Sequence, residues 1–129
     1  MIPQNLEEVN KLIVDQMIDH ALSIPMEEVC GIIGGRKDEK NISLDAFIQT
    51  KNATKKSKIS EALPDPVDYF NALSTFRKSK LTYVGWFHSH PFWSSLPSSA
   101  DIEYARTANL SSIWAIYGGI TKVLSIHIW

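Results

Sequence analysis

The stretch that decides the reading of this chain is HSHPFWSSLPSSAD, from His88 to Asp101. It follows an apolar run, Leu81 to Phe87 (LTYVGWF), and the two together predict a strand from Leu81 to His90. Side chains alternate faces along a strand, so His88 and His90 share one face at its end. Pro91 cannot donate to a sheet ladder and stops the strand there. Ser98 and Asp101 are three apart at the start of a short helix predicted from Ser99 to about Asn109, so they share a face of its first turn. Two imidazoles that converge at a strand end can hold one metal ion. A carboxylate beside them completes a set of two imidazoles and one carboxylate. That is the three-ligand pattern of catalytic zinc, with the fourth position left for water.

Such a site needs a proton acceptor. Glu28, at the head of an apolar segment EVCGIIG (Glu28 to Gly34), is the candidate. Zinc lowers the pKa of its water to roughly 7. A neighbouring carboxylate then takes a proton during attack on a carbonyl and returns it to the leaving amine. Ser98 offers a hydroxyl donor for the developing oxyanion. Each part also has a plain structural reading. Ser98-x-x-Asp101 has the form of a helix capping box loosely extended to Asp, and an isolated His-x-His on a strand is commonly structural. The joint pattern is far rarer. His88, His90, Pro91, Ser98 and Asp101 at these fixed offsets arise by chance on the order of once in a hundred thousand such chains, at usage frequencies of a few per cent each.

Outward from this stretch the chain alternates helix and strand. Leu6, Val9, Ile13, Met17 and Ala21 recur at spacings of three and four, which predicts a helix over Leu6 to Leu22 with Asn5 as its N-cap and Glu7 and Glu8 in the first turn. Pro25 ends that segment. Glu28 to Gly34 reads as a buried strand, Gly34 and Gly35 as the start of a polar turn, and Asn41 to Thr50 as the second strand of a hairpin-like pair. Lys51 to Ser60 is polar and lysine-rich and reads as loop. Asp65-Pro66 resembles an N-cap followed by proline at the first helical position, and Val67, Phe70, Leu73 and Phe76 continue it as a helical stripe. Two closing strands, Ser112 to Tyr117 and Thr121 to Trp129, flank Gly118-Gly119, a tight-turn signal. The order predicts an α/β (α+β) layer fold.

The remaining residues read more plainly. Cys30 has no paired histidine and reads as a small buried hydrophobe. His20 and His127 have no partner at ligand spacing and take core or surface roles. Trp86 and Phe87 read as core. Phe92 and Trp93 follow the metal strand and are either buried or line a substrate channel. Lys51, Lys55, Lys56 and Lys58 form a local basic run on a solvated loop, open to an acidic partner.

Composition narrows the class without naming a function. The chain has 129 residues, 44% of them hydrophobic and 21% charged, which suits one folded domain of residues 1–129. Lys and Arg number 13 against 14 Asp and Glu, so no bulk charge draws it to nucleic acid or an anionic membrane. One cysteine makes no internal disulfide, and no run approaches the roughly 20 apolar residues of a membrane span. With no signal-peptide layout at the N-terminus, the expected location is cytoplasmic.

The motif residues resemble the JAMM motif of the MPN+ metalloprotease family. That motif is an upstream glutamate, then His-x-His, seven residues, Ser, two residues, Asp. Here the seven residues are Pro91 to Pro97, and no position departs. Glu28-Val29-Cys30-Gly31 matches the family's context for the glutamate, which singles out Glu28 over Glu27. Ser89 matches the small hydroxyl residue between the histidines. The resemblance extends to Ala21, Pro25 and the Pro66 helix, and so to essentially the whole chain.

The resemblance implies a single JAB/MPN (cytidine-deaminase-like) domain, a mixed curved sheet flanked by helices. It implies one zinc ion per chain on His88, His90 and Asp101, Glu28 as general acid/base and Ser98 as oxyanion support. The implied reaction is hydrolysis of a peptide or isopeptide bond after the C-terminal Gly-Gly of a ubiquitin-like or sulfur-carrier protein. The chain resembles the minimal prokaryotic members, with only the Lys51 to Pro64 region available to grip a substrate. The tail is expected to add as a strand to a sheet edge. Two other readings stand beside this one: a non-catalytic MPN scaffold that binds partners, and a peptidase of the same type acting on phage-tail or cell-wall peptides.

Overall fold

A computed structural model describes residues 5, 6, 9–108 and 113–128. In chain order the elements are β1 (Asn5–Leu6), α1 (Lys11–Ser23), β2 (Cys30–Lys37), β3 (Asn41–Thr50), α2 (Pro66–Lys78), β4 (Thr82–His90), α3 (Ser99–Ala108), β5 (Ile113–Gly118) and β6 (Val123–Ile128). The strands form one sheet in the order β1-β3-β2-β4-β5-β6. β1 with β3 and β4 with β5 run parallel, and the other neighbours are antiparallel. The mixed α/β layer fold expected from the sequence is thus the one observed.

The sheet buries both faces. On one, Ile13, Met17 and Ala21 of α1 pack against Val29, Ile33, Val84, Phe87 and Ala115. On the other, Ala72 and Phe76 of α2 pack against Cys30, Ile32, Trp86 and Trp114. β4 is therefore apolar on both sides, as a central strand must be. Its alternation sets Trp86, His88 and His90 on one face and Phe87 and Ser89 on the other. Trp86 and Phe87 are core, as expected.

Several boundaries differ from the sequence reading, each for a physical reason. α1 starts at Lys11, and its N-cap is Asn10, whose side chain accepts from the Leu12 N–H at 2.9 Å. Leu6 is not helical, because Asn5 and Leu6 pair with Asn41 and Ile42 as a short parallel strand. Glu7 and Glu8 lie outside the described residues. Ile13, Met17 and Ala21 do form the buried stripe, whereas Leu22 is exposed.

β2 begins at Cys30 and runs through the glycines to Lys37. Gly34 and Gly35 are strand residues at a bulge, and the turn lies at Asp38, whose carboxylate accepts from the N–H groups of Lys40 and Asn41. A Cβ on Gly34 would sit 2.6 Å from the Phe76 ring, so glycine there admits α2 to the sheet.

α2 has the expected Asp65 cap and Pro66 start, but Val67 and Phe70 are exposed, and Ala72 and Phe76 carry the buried face. The closing turn spans residues 119–122, with Lys122 at φ 57. Gly118 ends β5, and its missing Cβ leaves room for the backbone of Ser94 and Ser95. Ser112, Asn109 and Trp129 of the expected elements lie outside the described residues.

Candidate metal centre

His88 and His90 reach the end of β4 with side chains almost fully buried. His88 is set by stacking: its ring lies 4.8 Å from that of Trp86 at 24° between planes. His90 is set by a hydrogen bond to the Ser94 carbonyl, 2.9 Å from Nδ1. A carbonyl only accepts, so Nδ1 carries the proton and the neutral ring presents its lone pair at Nε2. The Nε2 atoms of the two rings stand 3.2 Å apart.

α3 brings the carboxylate. Ser98 is its N-cap, and the Asp101 N–H donates to Ser98 Oγ at 3.0 Å while the Ser98 N–H donates to Asp101 Oδ2 at 2.9 Å. This is the reciprocal capping box. The same Oδ2 lies 3.2 Å from His88 Nε2 and 3.1 Å from His90 Nε2. The plain reading of Ser98-x-x-Asp101 as a cap and the reading of Asp101 as a partner of the histidines therefore both hold. The cap aims the carboxylate.

Electrostatics follows the geometry. Burial drives the His88 imidazole toward its neutral form. At His90 burial also opposes charge, but hydrogen bonds to Asp101 and Ser94 outweigh it and raise the pKa. Burial raises the Asp101 carboxyl, yet the hydrogen bonds from His88 and His90 prevail and hold it well below the usual carboxylate range. Glu28 is different. It is 5% exposed. Burial, with Asp101 and Glu61 adding repulsion against the attraction of His90, pushes its carboxyl up to about 8. A carboxylate oxygen of Glu28 and one ring nitrogen from each histidine all lie within 4.8 Å of one another.

The donor set fits a tetrahedral divalent ion. Bonds of about 2.0–2.1 Å at tetrahedral angles separate ligand atoms by roughly 3.3 Å. The two Nε2 atoms and Asp101 Oδ2 are 3.1–3.2 Å apart. The chemistry agrees: two imidazole nitrogens and a carboxylate oxygen, all ligand types of a divalent ion, converge on one point.

The other singled-out residues fall as follows. Ser98 lines a cleft of about 300 Å³ with Glu28, Ser60, His90, Trp93 and Leu96. Its hydroxyl accepts from the Asp101 N–H, which leaves its own proton free to donate. Trp93 is half exposed on this cleft, and Phe92 faces a neighbouring cavity with Leu22, Met26 and Lys122, so neither is buried. Cys30 is a buried thiol pushed up to about 11 by burial, 3.3 Å from Thr50 Oγ1, and is the inert small residue expected. His20 donates from Nε2 to the Cys30 carbonyl and His127 from Nε2 to the Ser95 carbonyl, which are structural roles. The basic loop is solvated, with Lys56 3.9 Å from Glu61.

Two residues near Glu28 escaped the sequence reading. Asn52 donates to the Glu28 carbonyl at 3.0 Å, and Ser89 Oγ accepts from the Val29 N–H at 3.0 Å. Ser89 was visible as a motif position without a role. Asn52 carries no spacing signal at all.

Residues 11–129 match the family described as prokaryotic homologs of the JAB domain. Human Deubiquitinase MYSM1 is 31% identical over 90 residues, covering 67% of this chain and 10% of that protein. The Desampylase of Haloferax volcanii is 28% identical over 95 residues, 70% of this chain and 66% of that one. The chain thus spans about a tenth of the first relative and about two thirds of the second. A solution structure of protein DSY2949 from Desulfitobacterium hafniense superposes with a TM-score of 0.78 at 25% identity, over 92% of this chain and 79% of its own.

Proposed function

Because the chain belongs to the JAB family, we propose that it is a zinc-dependent isopeptidase or peptidase that cleaves after the C-terminal Gly-Gly of a ubiquitin-like or sulfur-carrier protein. One observation carries the reading: His88 Nε2, His90 Nε2 and Asp101 Oδ2 converge within 3.2 Å of one another beside a buried Glu28. The names of the relatives, deubiquitinases and a desampylase, support a substrate of the ubiquitin-like class.

In this reading His88, His90 and Asp101 hold one zinc ion per chain. When bound, the ion supplies Lewis-acid chemistry, polarising a carbonyl and acidifying a water. Glu28 does the proton work. Its burial keeps the carboxyl near neutrality in proton affinity, where one group can both accept a proton and return it to a leaving amine. Ser98 donates its free hydroxyl proton to the oxygen that gains charge. Trp93 and Leu96 line the cleft beside Glu28 and His90, where a Gly-Gly tail would enter. Phe92 lies further along the rim. The whole described chain then serves as one catalytic domain, and no helix among the described residues is long and apolar enough to cross a membrane. A cytoplasmic location suits the single buried cysteine.

The test is cleavage of modifier fusions bearing Gly-Gly junctions by zinc-loaded protein, with a chelator control and the Glu28→Gln variant. The expected result is product from the zinc-loaded parent alone. Equal cleavage by Glu28→Gln would remove Glu28 from the mechanism.

A further inference from the structure

Glu28 precedes β2, so no ladder of the sheet holds its backbone. It is held instead by three separate bonds. Its N–H donates to the Lys58 carbonyl at 2.6 Å. Its carbonyl accepts from Asn52 Nδ2 at 3.0 Å. The next N–H, that of Val29, donates to Ser89 Oγ at 3.0 Å. The Glu28 carbonyl and the Val29 N–H belong to one peptide unit. That plane is therefore gripped at both poles by two side chains from different parts of the chain.

Each grip is built for the purpose. Asn52 uses all its capacity: Nδ2 also donates to the Glu61 carbonyl at 2.8 Å, while Oδ1 accepts from the N–H groups of Thr54 and Leu63. It fastens the 51–64 loop and the Glu28 peptide to the same point. Ser89 is buried, and its own N–H donates to the Val29 carbonyl at 3.0 Å. The Ser89 hydroxyl thus stands where a strand carbonyl would otherwise accept from Val29. Side-chain closure lets β2 leave β4 one residue early while the Val29 N–H and carbonyl both stay paired. With the Glu28 N–H held by the Lys58 carbonyl, the peptide planes on both sides of the Glu28 Cα are fixed, which sets φ and ψ of Glu28 and with them the direction of its Cα–Cβ bond.

We propose that Asn52 and Ser89 are positioning residues that aim the Glu28 carboxylate at the metal centre by pinning the Glu28–Val29 peptide plane. The proposal rests on the peptidase reading for its catalytic half and on geometry alone for its structural half. Asn52 spends its amide on four bonds within the fold and Ser89 Oγ accepts from the Val29 N–H, so both act on Glu28 through its backbone. Misplacing a reacting group by about 1 Å costs on the order of 100-fold in rate. Loss of one pin is therefore expected to reduce kcat by about 10- to 100-fold while KM and zinc content hold.

The test uses the full chain. Ser89→Ala removes one pin and Ser89→Thr restores the hydroxyl. Asn52→Asp keeps the acceptor for the Thr54 and Leu63 N–H groups and deletes both Nδ2 donations, to the Glu28 and the Glu61 carbonyls. Two readouts are taken: kcat and KM on a Gly-Gly fusion with bound zinc measured, and amide hydrogen exchange at Val29 by NMR. The expected result is loss of kcat in Ser89→Ala and Asn52→Asp, recovery in Ser89→Thr, and at least about tenfold faster Val29 exchange in Ser89→Ala. Parental kcat in both variants, or Val29 exchange that does not change, overturns the proposal. A parent that cleaves no Gly-Gly fusion defeats the peptidase reading alone, and Val29 exchange then decides the pin by itself.

Discussion

Glu28 carries two opposed demands, and both are testable. As the proposed proton carrier it needs an affinity near neutrality; as a buried acid it weakens the fold. Its carboxyl is raised to about 8 in the folded chain, mainly by burial, against an ordinary value of 4.5. Below about pH 4.5 the group is protonated in both folded and unfolded chains and costs nothing. Between 4.5 and 8 only the unfolded chain ionises it, so stability falls as pH rises. Above 8 the full cost stays. Linkage bounds that cost at about 5 kcal/mol. In metal-free protein, Glu28→Gln is therefore expected to leave Tm unchanged near pH 4.5 and to raise it progressively up to pH 8. Thermal melts at several pH values after chelation check this, and a gap that narrows with pH would contradict it. In the zinc-loaded protein the same substitution is expected to cut turnover by about 100-fold or more while bound metal persists.

At the scale of elements, α3 and the closing turn deliver groups to the end of β4. Asp101 depends on the Ser98 cap for its aim. Ser98→Ala is expected to cost about 1 kcal/mol of stability, seen as a lower Tm, and to weaken zinc binding measured by competition with a chelating dye. Asp101→Ala removes a donor outright and is expected to weaken zinc far more than Ser98→Ala does. The reverse ranking would mean that the ion is not held by Asp101. The turn after β5 grips β4 through the Gly119 N–H, which donates to the His90 carbonyl at 2.8 Å. A Cβ on Gly119 would collide with the Pro91 carbonyl. Gly119→Ala is expected to cost about 1–3 kcal/mol by overpacking. It should also loosen His90, which NMR of the ring protons would register.

For the whole molecule, the sheet separates two cores and the candidate metal centre sits at the edge of one of them. Trp114 and Phe76 are among the largest fully buried side chains on the α2 face. Phe76 fills the space that Gly34 leaves, so Phe76→Ala is expected to cost about 3–5 kcal/mol. Chemical denaturation measures this. A loss under 1 kcal/mol would show that α2 contributes little to holding the sheet.

The motif residues and most elements were legible because their signals are local. His88 and His90 follow from strand alternation, Asp101 and Ser98 from helix spacing, and Asp65-Pro66 from backbone chemistry that acts within a few residues. The misread boundaries have one cause: tertiary partners overruled local pattern. Leu6 fits a helical stripe yet pairs with Ile42. Gly34 and Gly35 look like a turn yet make room for Phe76 and the backbone at Ser43. Val67 and Phe70 extend an apolar stripe that faces outward. The sequence by itself determined which side chains are available for a metal centre and on which strand and helix they stand, since periodicity is a property of neighbouring residues. Only the tertiary structure decided the distances among His88, His90, Asp101 and Glu28 and the pinning of Glu28 by Asn52 and Ser89. Those depend on strand register and on loop closure between segments far apart in the chain, where no local periodicity reaches.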